Sequence, residues 1–193
     1  SEEKLETLDI WDLQLVKYGT EVMKRRVGFV QELNEIIGGL HEKLSGGTEK
    51  LTIEYQPCVE ETTFLDTVTK MRERDLRMKS TCFGPHKDDL IFFINGSEVK
   101  KYGSQGQQRT VALSLKLAEI ELVKRLIQDN PILLLDDVMS ELDRSRQDAL
   151  LESIRGIQTI LTCTGYDDFI KERLTIDKVY KVVAGTIQEE LDG

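Results

Sequence analysis

Ser104-Gln105-Gly106-Gln107-Gln108-Arg109 and, one helix further on, Ile132-Leu133-Leu134-Leu135-Asp136-Asp137 decide how this chain folds. Four consecutive aliphatic residues without alternation mark a central strand of a parallel sheet, because helices cover both of its faces. Ligands gather beyond the carboxyl ends of such strands, where Asp136 and Asp137 would sit. Two adjacent carboxylates there can hold Mg²⁺, directly or through water, and orient a water against a terminal phosphate. A buried strand that happens to finish in an acidic turn has the same letters, so the pattern alone leaves both readings open.

The earlier segment has a similar double reading. Ser104 followed three residues later by Gln107 fits a capping box, the hydroxyl serving the helix amides and the glutamine reaching back to the cap. The same geometry leaves backbone N–H groups and the positive end of a helix dipole facing outward, which is what a phosphate needs. Order favours function: a glycine-containing helix start, a long apolar helix from Ser104 to about Gln128, the aliphatic strand, the acid pair, then Ser140-Glu141-Leu142-Asp143. Asp143 also suits the N-cap of a helix reaching to about Arg155, with a strand from Thr159 to Cys163 after it.

Upstream, Leu90-Ile91-Phe92-Phe93-Ile94 reads as a strand ending at the turn pair Asn95-Gly96, with Val99 on the return. Val179 to Val183 and Thr186 to Glu190 form a second expected hairpin around Ala184-Gly185. Alternating strands and helices point to an α/β lobe with a largely parallel sheet over residues 81–193. Residues 1–80 read as a helical arm. Leu8, Trp11, Leu15, Tyr18 and Val22, then Phe29, Leu33, Ile36 and Leu40, recur at three- and four-residue steps along one side of a long helix, with a break in the stripe at Arg25-Arg26. Ser45-Gly46-Gly47 stops that helix, a strand runs from Leu51 to Tyr55, and a second helix spans about Thr62 to Lys79.

Composition narrows the functional classes. With 193 residues, 39% hydrophobic and 32% charged, the chain suits a water-soluble protein with one good core plus an appended arm. No apolar run approaches the roughly 20 residues that span a bilayer, and no leader pattern precedes the first helix, so a cytosolic, cytoplasmic protein without membrane contact is expected. Cys58, Cys82 and Cys163 lack close spacing, which supports neither a disulfide framework nor a zinc site. A net charge of −9 excludes coating nucleic acid through bulk positive charge. Local DNA contact would fall to Lys24, Arg25 and Arg26, or to Arg72, Arg74, Arg77 and Lys79, where interleaved acids make a solvated helix face the simpler reading.

In combination, Gly84-Pro85-His86-Lys87-Asp88-Asp89-Leu90, Gly103 to Thr110, and Leu133 to Val138 with Ser140 to Asp143 resemble the RecF family of bacterial recombination-repair proteins, over most of Phe83 to Thr164. That family is related to the SMC ATPases. The resemblance implies the C-terminal lobe of an ABC/SMC-type P-loop ATPase head with an inserted helical arm. It further implies an ATP-dependent homodimer, binding to DNA at single-strand gaps, slow ATP hydrolysis, and work with RecR and RecO to load the RecA recombinase in gap repair and the SOS response. Under the resemblance, Ser104, Gln105, Gly106, Gln107 and Gln108 are the signature motif that contacts the γ-phosphate held by the opposite subunit. Asp136 is the Walker B metal carboxylate, Asp137 the catalytic acid, and Ser140 to Asp143 the D-loop at the dimer interface. ATP and Mg²⁺ are the implied cofactors.

Departures from the wider ABC pattern matter. Gln105 stands where glycine is usual, Asp137 where the longer glutamate is usual, and Thr162-Cys163-Thr164 follow the strand after which transporters carry a histidine. No Gly-x-x-x-x-Gly-Lys-Ser/Thr loop is present to enclose the phosphates, and the chain begins at Ser1 without a methionine. It therefore reads as a C-terminal portion, inactive alone, of a weak ATPase. Leu44-Ser45-Gly46-Gly47-Thr48 looks like a transporter signature by letter but ends a helix instead of starting one. A structural SMC-like head in which ATP only joins subunits, and a fragment of another ABC-type ATPase, are the competing readings.

Overall fold

The computed structural model describes residues 2–164 and 176–190. The chain divides into two compact units, Ser1–Asp129 and Asn130–Gly193.

The first unit is built on α1, a single 43-residue helix from Glu2 to Leu44. It stops where Gly46 and Gly47 take positive φ angles of 68° and 81°, and the Gly47 amide donates to the Glu42 carbonyl at 2.8 Å. Gly46 and Gly47 are thus the left-handed stop of a helix, since that backbone region costs glycine nothing. After the stop, β1 (Leu51–Gln56) pairs antiparallel with β2 (Asp89–Ile94), from Leu51 opposite Ile94 to Gln56 opposite Asp89. Between them lies α2 (Phe64–Met78), entered through a 3-10 turn at Glu61–Thr63. The Asn95-Gly96 turn has both φ angles positive, at 49° and 80°. That is the twist a two-residue hairpin needs. The return strand β3 is only Ser97–Glu98, and Val99 opens a short helix, α3 (Val99–Tyr102), instead of extending the strand. The unit closes with α4 (Gln105–Ile127).

The sequence places a boundary at residue 80, whereas the compact units part at Asp129. Strand pairing is the reason: β1 comes from before residue 80 and β2 from after it, and a ladder cannot be shared between separate cores. One apolar cluster joins Leu33, Ile36 and Ile37 of α1, Leu51 and Ile53 of β1, Ile94 of β2, and Val111, Ala118 and Leu122 of α4.

The buried line of α1 keeps Leu33 and Ile36 of the expected stripe, with Leu15 and Leu40 half-buried, but departs from it elsewhere: Met23, Val30, Ile37, His41 and Leu44 are also buried, while Trp11, Tyr18, Val22 and Phe29 are exposed. Arg26 does not break the buried line but continues it, because its guanidinium reaches Asp88, whose side chain is 1% exposed. A paired cation can sit on an apolar face; a periodicity count by hydrophobicity cannot register it. Gly19 belongs to the same line. A Cβ there would come within 2.7 Å of the Phe64 ring and 3.2 Å of Pro85, so its lack of a side chain lets the fully buried Phe64 approach the helix.

The second unit is smaller. In it β4 (Leu133–Asp136) and β5 (Thr159–Thr162) pair in parallel, with Leu133 opposite Thr159 and Asp136 opposite Thr162. A 3-10 turn at Val138–Glu141 and helix α5 (Arg144–Ser153) form the crossover. Strands β6 (Val179–Val183) and β7 (Thr186–Glu190) make an antiparallel hairpin around Ala184 and Gly185, both at positive φ. Among the described residues parallel pairing is thus confined to β4–β5, and the mixed α/β class holds with less parallel sheet than the alternation of elements suggests. No described helix is long and apolar enough to cross a membrane.

Candidate functional site

The two segments that open the sequence reading lie in different compact units, and each builds its own half-site.

In the first unit, Ser104 caps α4 with extended backbone (φ −64°, ψ 160°). The capping box is complete in both directions. The Gln107 amide donates to Ser104 Oγ at 3.2 Å, and the Ser104 amide donates to Gln107 Oε1 at 2.9 Å. The Gln108 amide already donates to the Ser104 carbonyl at 2.9 Å, and Gln108 Nε2 donates to the Gly103 carbonyl at 3.2 Å. An α-helix leaves its first amides without intrahelical acceptors, and the cap here serves Gln107, so the amides of Gln105 and Gly106 are the ones left to an outside acceptor. Ser104, Gln105, Gly106 and Gln108 are exposed. A Cβ on Gly106 would meet only Ser104 Oγ, at 3.9 Å. The start of α4 is therefore an open, positively polarised surface, not a packed junction. Capping leaves the helix start open to an acceptor because it uses a different amide, that of Gln107.

In the second unit, Asp136 ends β4 and Asp137 follows at φ 50°, in the left-handed region. Only a few per cent of non-glycine residues adopt that region, aspartate among the more tolerant, and it turns the chain sharply at the strand end. Thr162 at the end of β5 holds the corner. The Asp137 amide donates to its carbonyl and to its hydroxyl oxygen, each at 3.1 Å, and the Thr162 hydroxyl donates to Asp136 Oδ1. Both acids are exposed. Ser140 Oγ donates to the Asp137 carbonyl at 2.8 Å, which ties the following turn to the acid pair. Asp143 caps α5, accepting from the Arg146 amide at 3.0 Å and pairing with the Arg146 guanidinium. Mg²⁺ typically takes one or two carboxylates and completes its octahedron with water and phosphate oxygens. The Asp136–Asp137 oxygens match that donor set, and among the described residues no group of three or more metal-ligating side chains competes with them.

Sequence reading met Thr162 only within Thr162-Cys163-Thr164, where transporters carry a histidine, and did not foresee that its hydroxyl and carbonyl hold the acid corner.

The basic triplet is engaged internally. Lys24 pairs with Glu61 at 2.6 Å, Arg25 with Glu21 at 2.6 Å, and Arg26 with Asp88 at 3.1 Å. Arg26 also donates to the Pro85 carbonyl. Asp88 further accepts from the Tyr55 hydroxyl and, at 2.9 Å, from the Cys58 amide. Burial, reinforced by the Asp88 carboxylate, pushes the Tyr55 phenol up to about 12. His86 contacts the Thr81 carbonyl at 2.8 Å, a local turn contact and not one to Asp88 or Asp89. The segment from Gly84 to Asp89 thus fastens α1 to β1 and β2. Arg72 bridges α2 to α1 through Asp9 and Asp12.

No family model matches the chain. It is 56% identical over 185 residues to the DNA replication and repair protein RecF of Lachnoclostridium phytofermentans, covering 96% of this chain and 51% of that protein. The corresponding values are 54% over 190 residues for RecF of Lachnospira eligens (98% and 52%) and 42% over 196 residues for RecF of Bacillus cytotoxicus (96% and 52%). A solved structure of the recombination mediator protein RecF with ATP in the RecFOR pathway superposes with a TM-score of 0.80 at 33% identity, covering 96% of this chain and 51% of that one. A RecF–ATPrS structure gives 0.78 at 34%, covering 95% and 50%. Fold and half-sites together define a C-terminal lobe of an ABC/SMC-type ATPase head. The chain belongs to the RecF family, as a C-terminal portion that spans about half the length of the relatives it matches.

Proposed function

We propose that this chain supplies the signature helix, Walker B acids and D-loop of an ATP-dependent, DNA-binding recombination mediator that acts in the cytoplasm. In this reading the Gln105 and Gly106 amides, with Ser104 and Gln108 beside them, meet the γ-phosphate of a nucleotide held by a second copy. Asp136 carries Mg²⁺, Asp137 orients the attacking water, and Ser140 to Asp143 line the seam between copies. Closure on ATP clamps the homodimer on gapped DNA, from which RecR and RecO hand over to the recombinase. Lys24 and Arg25, exposed at one edge of α1, are the basic groups assigned to DNA.

The observation that carries the reading is the open start of α4, with two amides free of the capping box. Two further facts support it. The solved RecF structures on which the chain superposes are of RecF with ATP and with ATPrS. The β4–β5 pair leaves Leu134 70% and Ile160 56% exposed, as expected if a Walker A lobe adds a covering layer over this face. The chain holds no Walker A loop, so it neither binds ATP tightly nor hydrolyses it unaided.

The test is reconstitution. Adding a separately expressed Walker A lobe is expected to give ATP-dependent dimerisation by light scattering, which Ser104→Arg abolishes because the larger cation side chain fills the phosphate approach. ATP hydrolysis by this chain alone would overturn the reading. Turnover in the reconstituted particle separates a slow ATPase from a head in which ATP only joins subunits.

A further inference from the structure

A polar chain runs from the buried core of α1 to the start of α4. His41 lies in α1 with 0% exposure. Its Nδ1 is 2.9 Å from Ser114 Oγ, and that hydroxyl also lies 2.8 Å from the Thr110 carbonyl within α4. On its other side, Nε2 lies 3.0 Å from Glu49 Oε2. Glu49 sits in the loop between α1 and β1, and its second oxygen, Oε1, accepts from Gln107 Nε2 at 2.9 Å. Gln107 is the third residue of α4 and the return arm of the capping box.

The order of donors is fixed by counting. Gln107 Oε1 is taken by the Ser104 amide, so its NH₂ must face Glu49; flipping the amide would break both contacts. A carboxylate accepts at both oxygens, and here each serves a different element: His41 of α1 on one side, Gln107 of α4 on the other. The Glu49 side chain is 16% exposed, so these charge-assisted bonds are partly shielded and worth more than surface contacts. Gln107 is thereby held at both ends, and the cap that orients the Gln105 and Gly106 amides is anchored to the long helix.

We propose that Glu49 and His41 are positioning residues for the phosphate-facing start of α4, with the Glu49 carboxylate transmitting the setting of α1 to the signature cap through Gln107. The proposal rests on the reading of that cap as the γ-phosphate contact. Neither residue touches nucleotide; both act through Gln107. A displacement of α1 along its axis, such as DNA leaning on Lys24 and Arg25 would cause, is then felt at the amides that meet ATP.

The decisive variant is Glu49→Gln. It keeps shape and packing but leaves one acceptor oxygen for two donors. In this chain, hydrogen–deuterium exchange at the Gln107 and Gln108 amides is expected to quicken about tenfold, the scale of one charge-assisted hydrogen bond, while the Thr52 and Phe93 amides, opposite each other in the β1–β2 ladder, stay protected. In a Gln107→Ala background the same change should add nothing. In the reconstituted particle the ATP concentration for half-maximal dimerisation should rise about tenfold, matching the lost bond. Unchanged exchange at Gln107 and Gln108, or quickened exchange throughout the unit, overturns the proposal. Quickened exchange confined to the cap with dimerisation untouched upholds the anchoring and instead overturns the phosphate reading of the cap.

Discussion

The two units handle apolar residues in opposite ways. In the first, Phe64, Leu33 and Ile37 have 0% exposure; α1, the β1–β2 ladder and α4 share one cluster, and α2 packs on α1 in a second one through Phe64 and Val68. In the second, alternate residues of the aliphatic strand part company: Leu135 is buried, whereas Leu134 and the preceding Ile132 are exposed. The strand was expected to be covered on both faces, and it is covered on one. A three-stranded sheet with four helices can close its own core; a two-stranded parallel pair with one crossover helix cannot, because a sheet face needs a second layer to bury against. The unit with the richer core holds the open cap of α4, and the sparser one holds the acid pair.

Several substitutions would break or sharpen that contrast. Asp88→Ala should be the most damaging, since it removes the buried acceptor shared by Arg26, the Tyr55 hydroxyl and the Cys58 amide; a loss of about 3 kcal/mol in urea unfolding is expected, about 1 kcal/mol for each bond left unmade. Gly19→Val should cost the first unit about 1–3 kcal/mol by driving a side chain into Phe64, read as a lower melting temperature. In the second unit, Leu135→Ala should cost about 2–3 kcal/mol and Leu134→Ala less than about 0.5 kcal/mol. Equal losses at the two positions would mean that the outer face is covered after all, and the contrast between units would fall.

Ser104→Ala removes one cap and should cost about 1 kcal/mol, with the change in exchange confined to the start of α4. The last effect is on pH dependence. Tyr55 titrates near 12 when folded against 10 when free. The folded state thus holds the proton more tightly, and this contribution is fully present below pH 10 and lost as pH rises toward 12. Chemical unfolding across that window should show a decline that Tyr55→Phe lacks.

How much of this was legible in the letters varies with the kind of interaction. The α4 capping box was readable because both partners lie within one helical turn, and the structure shows both of its hydrogen bonds. The two glycine-containing hairpin turns and the Gly46-Gly47 helix stop were readable because backbone torsion is a local property. The α1 stripe was right at Leu33 and Ile36 but misplaced before them, for the opposite reason. Arg26 is accommodated on the buried line by Asp88, 62 residues away, and Gly19 by Phe64, and neither partner is visible from the helix itself. Thr162, which fixes the acid pair, carries no motif and became recognisable only when β5 was laid beside β4.

The sequence by itself determined the helix that begins at Ser104, the strand that ends at the acids, and the family to which they belong, since each is written within a few contiguous residues. The tertiary structure alone decided that β1 and β2 share one sheet across the supposed boundary, that the basic triplet is paired with acids, and that Glu49 links His41 to Gln107. Those outcomes depend on which distant side chains meet, and a buried charge or hydrogen-bond donor settles where its partner lies in space, not where it lies along the chain.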